Sequence, residues 1–177
     1  MKIFVINGFP QSGKSTFVEF CLEELGAWGK EVSTVDFVKE LASQCGWNGT
    51  KTPKDRKFLS DLKDLLTDWG DVPFKDVEKR KRVWEYSFTQ YDISAKDCFF
   101  FIHCREPIEI QKFVDKMDAK TILVRREKVE NLEQSNHADG EVLNFNYDYE
   151  IENNETLKDL KNKAKKFLKE NGWKRKW

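Results

Sequence analysis

The sequence is poor in the residues that build disulfide frameworks and metal clusters. Its 177 residues include only four cysteines and two histidines, and no two cysteines form a C-x-x-C pair. Each cysteine lies in an apolar segment, so we expect reduced thiols that are buried as small hydrophobic side chains, namely Cys21, Cys45, Cys98 and Cys104. His103 and His137 are too few and too isolated for a metal site, and we expect a structural or hydrogen-bonding role for His103.

Long hydrophobic runs and an excess of either charge are also absent. No stretch approaches the ~20 apolar residues of a membrane span, and residues 1–7 hold no apolar signal-peptide core after a basic start. The 31 Lys and Arg residues balance the 31 Asp and Glu residues, so net charge gives no strong attraction to nucleic acid or anionic membranes. We therefore expect a soluble, cytoplasmic protein with small-molecule partners, and its oligomeric state stays open.

The strongest chemical signal is the segment Gly8–Ser15, which reads G-F-P-Q-S-G-K-S. It follows Ile3–Ile6, an apolar run that predicts a buried strand, and it precedes an apolar stripe at helical spacing. This is the pattern of a phosphate-binding loop in its strand–loop–helix context. The alternative is a glycine-rich turn that joins a strand to a helix without binding a ligand.

Each residue type in this loop has a chemical reason. Gly8 and Gly13 allow the main chain to approach a phosphate closely, so that successive N–H groups form an anion nest. The Lys14 ammonium would contact the β- and γ-phosphates, and the Ser15 hydroxyl would bind Mg²⁺. The residues predicted to bind the nucleotide are Gly8, Pro10, Gln11, Ser12, Gly13, Lys14, Ser15 and Thr16.

The next segment predicts a second strand and a helical insertion. Residues 32–36 read as a strand with Asp36 at its carboxyl end, where ligands bind in open parallel sheets. Asp36 is equally suited to cap the following helix, and the two roles are compatible. Two more helices follow within about residues 47–92, a segment that we call the flap. Thr52, Pro53 and Asp55 predict a capped start for the first of them, and Arg56 lies there.

Three further strands complete the predicted sheet. Phe99–Ile102 reads as a central strand followed by Arg105 and Glu106, and Arg guanidinium groups match phosphate oxygens bidentately. A strand at residues 121–124 is followed by Arg125 and Arg126, and then by a polar stretch of about residues 127–144 that we interpret as a lid. Alternating residues 147–151 predict the fifth strand, and Thr156 starts the last helix. The order of elements predicts one α/β domain over residues 1–177 with a doubly wound parallel sheet.

Taken together, these motifs resemble those of the P-loop nucleoside monophosphate kinase superfamily. The chain is most similar to the deoxynucleoside monophosphate kinase-like proteins of phages and bacteria. The motifs that carry this resemblance cover nearly the whole chain and read GFPQSGKST, STVDFVKE, GW-x-G with RKFLSDLKDL, HCREP, and NHAD with YDYEIENN-x-TL. The first motif is specific to the P-loop class, and the others are specific only as a set.

The resemblance implies a reaction and a set of site residues. It implies ATP as phosphoryl donor, Mg²⁺ as cofactor, a nucleoside or deoxynucleoside 5′-monophosphate as acceptor, and a five-stranded sheet in the order 2-3-1-4-5. Arg105 occupies the position that holds the acceptor phosphate, and Arg125 and Arg126 lie where the lid arginines begin. The predicted catalytic residues are Lys14, Arg105, Arg125, Arg126 and Asp36, and the predicted acceptor contacts are Asp36, Arg56, Arg105 and Glu106.

Two departures from the family keep alternatives open. The third strand ends without an aspartate for the metal, so Glu106 or Asp36 must serve or the Mg²⁺ shell is mostly water. The lid also lacks a well-spaced pair of arginines inside it. The alternatives are a kinase for dephospho-coenzyme A or another small metabolite, and a non-catalytic nucleotide-binding module. A GTPase switch is disfavoured because the chain has no N-K-x-D motif.

Overall fold

The centre of the protein is a parallel β-sheet that follows the predicted order. We describe a computed structural model, which covers residues 1–91, 94–130 and 141–174. The sheet order is 2-3-1-4-5 and all strands run parallel. Within the described residues the strands are β1 (Lys2–Asn7), β2 (Gly29–Ser33), β3 (Phe99–His103), β4 (Lys120–Arg125) and β5 (Tyr149–Glu152). The predicted α/β fold class is therefore confirmed.

The connecting helices begin where the sequence provides starting signals. Thr52 and Asp55 form a reciprocal capping box, and Thr156 and Asp159 form another, as the sequence predicts. The described helices are α1 (Lys14–Leu25), α2 (Asp36–Gln44), α3 (Pro53–Gly70), α4 (Val72–Thr89), α5 (Pro107–Met117), α6 (Glu127–Glu130) and α7 (Leu157–Glu170), with single 3₁₀ turns at Gly26–Trp28 and Ala95–Asp97.

The register of the central strands brings three strand ends together. Strand β1 lies between β3 and β4, with Ile6 opposite His103 and Asn7 opposite Leu123. The chain leaves β1 at Asn7, while β4 continues for two more residues beyond Leu123. As a result, the loop after β1 starts beside the last residues of β4 and next to the end of β3.

An aromatic layer fixes α1 and α7 on one face of this sheet. Phe4 and Phe101 stack at 5.8 Å between ring centroids, and the Phe167 ring from α7 meets Phe4 edge-on at 5.0 Å. Phe17 from α1 contacts the same Phe167 ring at 5.6 Å. On the other face, α5 buries Ile110 and Phe113 completely. These contacts hold the amino end of α1 against the sheet edge where the loop between β1 and α1 lies.

The chain divides into two compact units. The first contains residues 1–31 and 94–177, and the second contains residues 32–93. Inside the second unit, Arg80 binds Asp76 in its own helix at 2.5 Å and Glu40 of α2 at 2.7 Å, and these hydrogen bonds raise the pKa of Arg80. The predicted flap of residues 47–92 falls inside this unit, and the prediction of one domain with an acceptor flap stays a prediction.

Three sequence expectations need correction. The second strand is Gly29–Ser33 and not residues 32–36, because the Asp36 carboxylate accepts the N–H of Ser33 at 2.7 Å and turns the chain into α2. The fifth strand begins at Tyr149, because the Asp148 carboxylate binds the N–H and hydroxyl of Thr121 just before strand pairing starts. Cys45 is exposed, since it lies past the last buried turn of α2.

The expected burial of the other three cysteines and the expected structural role of His103 are confirmed. Within the described residues none of the four cysteines forms a disulfide, and Cys21, Cys98 and Cys104 are buried; burial raises the pKa of Cys21. His103 is paired with Glu31.

Part of the predicted lid lies outside the described residues. Residues 127–130 form α6 and residues 141–144 form a turn, while residues 131–140 are not described, so the lid stays a prediction. Among the helices that the structure describes, none combines the length and apolar character needed to cross a bilayer.

Two leucines of α7 test how this helix contributes to stability. Leu168 is completely buried and Leu157 is 66% exposed. We expect Leu168→Ala to lower the free energy of unfolding by about 2–5 kcal/mol, because it removes buried methyl groups and leaves a cavity. Leu157→Ala makes the same chemical change in the same helix and should alter it by about 0.5 kcal/mol or less. Urea unfolding followed by circular dichroism measures both, and equal losses would contradict the packing described.

Candidate active site

The loop between β1 and α1 admits only glycine at two positions. Gly8 has φ +147° and Gly13 has φ +98°. A Cβ atom on Gly8 would lie 2.2 Å from the carbonyl oxygen of Val124, and one on Gly13 would lie 2.3 Å from Nδ2 of Asn153. Both distances are far shorter than van der Waals contact. The loop main chain therefore packs directly against β4 and against the turn that follows β5.

The N-cap residue of α1 provides no side-chain cap for the helix. This residue is Gly13, and the first turn contains no acidic residue. By contrast, α3 and α7 both start with complete capping boxes. The first N–H groups of a helix have no partner inside it, and the helix dipole is positive at this end. This end of α1, with the exposed Ser15 and the half-buried Thr16, is therefore suited to hold an anion.

Lys14 lies over the same loop. Its ammonium group donates hydrogen bonds to the carbonyl oxygens of Gly8 and Phe9, the second at 2.8 Å. Phe9 itself is only 4% exposed, because its ring packs into an apolar cluster that contains Leu123, Val129 and Val142. The buried Phe9 ring thus anchors the first half of the loop, and the Lys14 hydrogen bonds keep its ammonium group next to the loop main chain.

The tip of the loop contains one exposed residue in an unusual backbone conformation. Pro10 and Gln11 are exposed, and Gln11 has φ +62°, which costs about 1–2 kcal/mol for a residue with a Cβ atom. Ser12 is buried, and its hydroxyl has no hydrogen-bond partner within the described parts of the chain. The Ser12 carbonyl oxygen accepts a hydrogen bond from Nδ2 of Asn153 at 2.9 Å.

Two buried amides support this loop, and sequence reasoning missed both. The Asn153 side chain donates to the Ser12 carbonyl oxygen, and its main-chain N–H donates to the carbonyl oxygen of Arg125 at 2.7 Å. Asn7 is completely buried at the end of β1, and its Oδ1 atom accepts the N–H of Gly8 at 2.8 Å. The available signal was an amide that ends an apolar strand directly before the first loop glycine.

The residues after β3 meet the loop through their main chain. Asn7 Nδ2 donates to the carbonyl oxygen of Arg105 at 3.1 Å, so the Arg105 backbone is tied to the start of the loop. The Arg105 side chain is exposed, and Glu106 is the N-cap residue of α5 without a side-chain capping bond. The predicted proximity of Arg105 to the phosphate loop is thus consistent with the contacts of its main chain.

The two arginines after β4 differ in their surroundings. Arg125 binds both carboxylate oxygens of Glu130, at 2.8 and 2.7 Å, and one oxygen of Glu150 at 2.8 Å. These hydrogen bonds raise the pKa of Arg125 and lower the pKa of Glu130. The half-buried side chain of Arg126 makes no hydrogen bond or ion pair to any residue that the structure describes.

Asp36 and Arg56 belong to the second unit, where each has a local contact. The expected N-cap role of Asp36 is wrong: the N-cap residue of α2 is Val35, Asp36 is the first residue of the helix, and its carboxylate accepts the N–H of Ser33, which precedes the helix. Arg56 is exposed at the start of α3 and donates from Nε to the Lys51 carbonyl oxygen at 3.2 Å. Their predicted contacts with an acceptor stay predictions.

The end of β3 carries a close histidine–carboxylate contact at the place where the sequence lacks an aspartate. His103 Nε2 lies 2.5 Å from a carboxylate oxygen of Glu31 on β2. Gly29, two residues earlier on the same strand, packs against Leu22 and Leu25 of α1, so Glu31 and His103 lie on the α1 face of the sheet. Among the described residues, no group of three or more His, Cys, Asp or Glu side chains is arranged to hold a metal ion.

Comparisons with known proteins give only distant structural likeness. No protein-family model matches the chain, and no curated protein matches its sequence significantly. Among solved structures it is similar to the shikimate kinase of Aquifex aeolicus, with 14% identity, a TM-score of 0.48 and coverage of 97% of this chain and 98% of that chain.

Two other solved structures are similarly distant. A sugar kinase of a Janibacter species shares 14% identity, with a TM-score of 0.44 and coverage of 96% of this chain and 95% of that one. The protein TT1252 of Thermus thermophilus shares 20% identity, with a TM-score of 0.44 and coverage of 96% and 97%. Because all three TM-scores lie below 0.5, these likenesses carry no argument about what the present chain does.

A glycine substitution tests the packing of the loop. Gly13→Ala would place a methyl group on Asn153 Nδ2, and it also strains a positive φ angle, so we expect loss of polyphosphate binding and a lower melting temperature. Gly26→Ala is the matched control, because Gly26 also has a positive φ but has nothing within 4 Å of the new methyl group. Calorimetric titration with Mg·ATP and thermal unfolding compare the two. If Gly13→Ala bound as tightly as Gly26→Ala, the described contact with Asn153 would be wrong.

The arginine pair gives a second prediction, which concerns stability. We expect Arg125→Gln to lower the free energy of unfolding at neutral pH by about 1 kcal/mol, because the mostly buried Glu130 loses its charged partner. Since the folded pKa of Glu130 is lowered, this contribution is complete above the ordinary glutamate pKa of about 4.3 and is lost as pH falls through the lowered value.

Arg126→Gln is the control for that experiment, because its side chain has no partner in the described ranges. Its free energy of unfolding should stay within about 0.5 kcal/mol of the wild-type value at every pH. Urea unfolding between pH 7 and the acid limit of folding measures both variants. A pH-independent loss for Arg125→Gln would show that the ion pair with Glu130 is not its cause.

Proposed function

We propose that this chain is an ATP-dependent kinase that transfers a phosphoryl group to the phosphate of a nucleoside or deoxynucleoside 5′-monophosphate. The observation that carries the proposal is the loop from Gly8 to Ser15. In it a main chain that admits only glycine at two points, an uncapped helix end and a lysine ammonium meet at one place. The class of acceptor is supported by the resemblance of the five sequence motifs.

The loop fits the phosphates of ATP and a magnesium ion. Lys14 would exchange its two carbonyl partners for phosphate oxygens, and charge-assisted hydrogen bonds are the stronger kind. The exposed Ser15 hydroxyl would hold Mg²⁺ together with phosphate oxygens and water; Glu106 or Asp36 would bind that water, or the remaining shell would be water alone. When bound, the ion neutralises charge on the β- and γ-phosphates.

The reaction needs positioning and charge neutralisation more than proton transfer. An oxygen of the acceptor phosphate forms a bond to the γ-phosphorus while the bond from that phosphorus to the β–γ bridging oxygen breaks. The electron pair of the broken bond leaves with ADP. Because the acceptor oxygen is already ionised, no strong general base is required, and the residues act by holding two anions in line.

Three cations are proposed to hold those anions. Lys14 neutralises the donor phosphates, Arg105 holds the acceptor phosphate, and Arg126 contacts the transferred group. Arg125 can contact a phosphate only if it gives up Glu130 and Glu150, so its proposed part in catalysis requires that exchange. Arg56 and Asp36 are the acceptor contacts proposed from the second unit.

An acceptor panel tests this proposal directly. The wild-type chain is supplied with Mg·ATP and one acceptor at a time, and ADP release is followed by a coupled assay. We expect the highest kcat/KM with one or more ribo- or deoxyribonucleoside monophosphates. Turnover only with dephospho-coenzyme A, shikimate or a sugar would support kinase activity but contradict the proposed class of acceptor. Nucleotide binding without turnover on any acceptor would indicate a non-catalytic module.

The lysine provides the sharpest single-residue test of chemistry. Lys14→Ala should lower kcat by about 10²–10³-fold, because it removes a cation from the site where negative charge develops. Lys166→Ala on α7 is the control, since its side chain is 75% exposed and pairs only weakly with Glu170 at 3.7 Å. Undiminished turnover of Lys14→Ala would mean that the loop takes no part in phosphoryl transfer.

A further inference from the structure

One buried side chain touches both the phosphate loop and the segment that carries Arg105. The Asn7 carboxamide accepts the N–H of Gly8 at 2.8 Å through Oδ1 and donates through Nδ2 to the Arg105 carbonyl oxygen at 3.1 Å. A main-chain N–H can only donate and a carbonyl oxygen can only accept, so these two partners fix which way the amide faces. Asn7 therefore joins the first glycine of the donor loop to the backbone of the proposed acceptor arginine.

A tyrosine hydroxyl holds this amide in place. The second Nδ2 hydrogen of Asn7 goes to the hydroxyl oxygen of Tyr147 at 2.8 Å, and that hydroxyl donates to the carbonyl oxygen of Val142 at 2.7 Å. Burial raises the pKa of Tyr147 to about 12, so the hydroxyl keeps its proton at neutral pH. All donors of Asn7 and the donor of Tyr147 are used, which leaves the amide one satisfied orientation.

Apolar packing makes a second connection between the loop and the segment of residues 142–147. Val142 is completely buried, and Tyr147 packs against the cluster that encloses the Phe9 ring. Phe9 is the residue directly after Gly8, so the loop is fixed to this segment by a ring on one side of Gly8 and by Asn7 on the other. A displacement of Gly8 therefore acts on Tyr147 and on the Arg105 backbone together.

We propose that Asn7 and Tyr147 are positioning residues that set the separation between the donor phosphate loop and Arg105. This rests on the proposed function, in which the two groups hold the donor and the acceptor phosphates. A polyphosphate bound at the loop restrains Gly8, and Asn7 passes that restraint to the Arg105 main chain. Loss of the Tyr147 hydroxyl loosens the amide and misplaces one anion relative to the other, while the loop itself keeps its glycines, Lys14 and Ser15.

The test compares two tyrosines that each lose one hydroxyl. Tyr147→Phe keeps the ring and removes the link to Asn7, whereas Tyr149→Phe removes a hydrogen bond to Asn171 at 2.9 Å that has no connection to the loop. Both variants should lose a similar, small amount of thermal stability. Only Tyr147→Phe should lower kcat, by about tenfold to a hundredfold, with KM for ATP changed by less than about threefold. Equal kcat values in the two variants would overturn the proposal.

A binding measurement decides the proposal without relying on turnover. Tripolyphosphate with Mg²⁺ is added to the wild-type chain, and hydrogen exchange is followed by mass spectrometry in peptides that cover residues 8–16 and 104–107. Exchange should slow in both segments of the wild type and of Tyr149→Phe, and only in residues 8–16 of Tyr147→Phe. Slowing in both segments of Tyr147→Phe, or none at residues 104–107 in the wild type, would overturn it.

The kinetic and hydrogen-exchange experiments together distinguish a failure of the positioning role from a failure of the proposed kinase function. If the wild type transmits the restraint but phosphorylates no acceptor, the proposed function fails and the positioning role stands. If the wild type is an active kinase and Tyr147→Phe matches Tyr149→Phe in kcat and in exchange, only the positioning role fails. Asn7→Ser serves as a second variant, and it should reproduce the Tyr147→Phe exchange pattern if it folds.

Discussion

The structure depends on how closely the main chain after β1 approaches its neighbours. Gly8 lies against a carbonyl oxygen of β4, and Gly13 lies against the amide of Asn153, with no room for a side-chain carbon at either place. This contact fixes the curvature of the loop and the start of α1. The loop rests on a rigid support formed by the parallel sheet, the aromatic layer and α7. This support limits changes in the loop conformation when a charged ligand binds.

The polar groups around the loop divide into two kinds. The side chains of Asn7 and Asn153 are buried, the Tyr147 side chain is half-buried, and each binds main-chain groups of the loop or of its neighbours. The amino end of α1, where Ser15 is exposed, has no side-chain capping bond from its N-cap residue Gly13. Buried amides are costly unless every hydrogen bond is made, so their satisfaction here favours one loop conformation over others. The groups at the amino end of α1 are left for a ligand.

The strong local patterns of the sequence predicted most of the architecture. Strand order, the glycine loop and both capping boxes followed from short-range patterns or from the resemblance. The two errors in strand bounds share a cause, which is an aspartate side chain that binds a main-chain group, whereas the exposure of Cys45 is a separate error. The Asp36 carboxylate ended β2 early, and the Asp148 carboxylate delayed β5. Such contacts depend on distance in space, which hydrophobic periodicity does not encode.

The same limit explains what the sequence missed in the candidate site. Asn153 lies 141 residues from its partner Ser12, and Tyr147 lies 140 residues from Asn7. No spacing rule connects positions so far apart. The pairing of Arg125 with Glu150 likewise crosses from β4 to β5, so sequence alone could not distinguish Arg125 from Arg126. The loop residues themselves were predictable, because they form one short motif of consecutive residues.

The most direct measurement is a calorimetric comparison of adenosine, ADP and ATP, each with Mg²⁺, on the wild-type chain. If the glycine loop, the α1 amino end and Lys14 form an anion site, affinity should rise steeply with the number of phosphates and weaken with added salt, since the interaction is largely electrostatic. Adenosine that bound as tightly as ATP, or an absence of heat with all three ligands, would contradict a phosphate site at this loop.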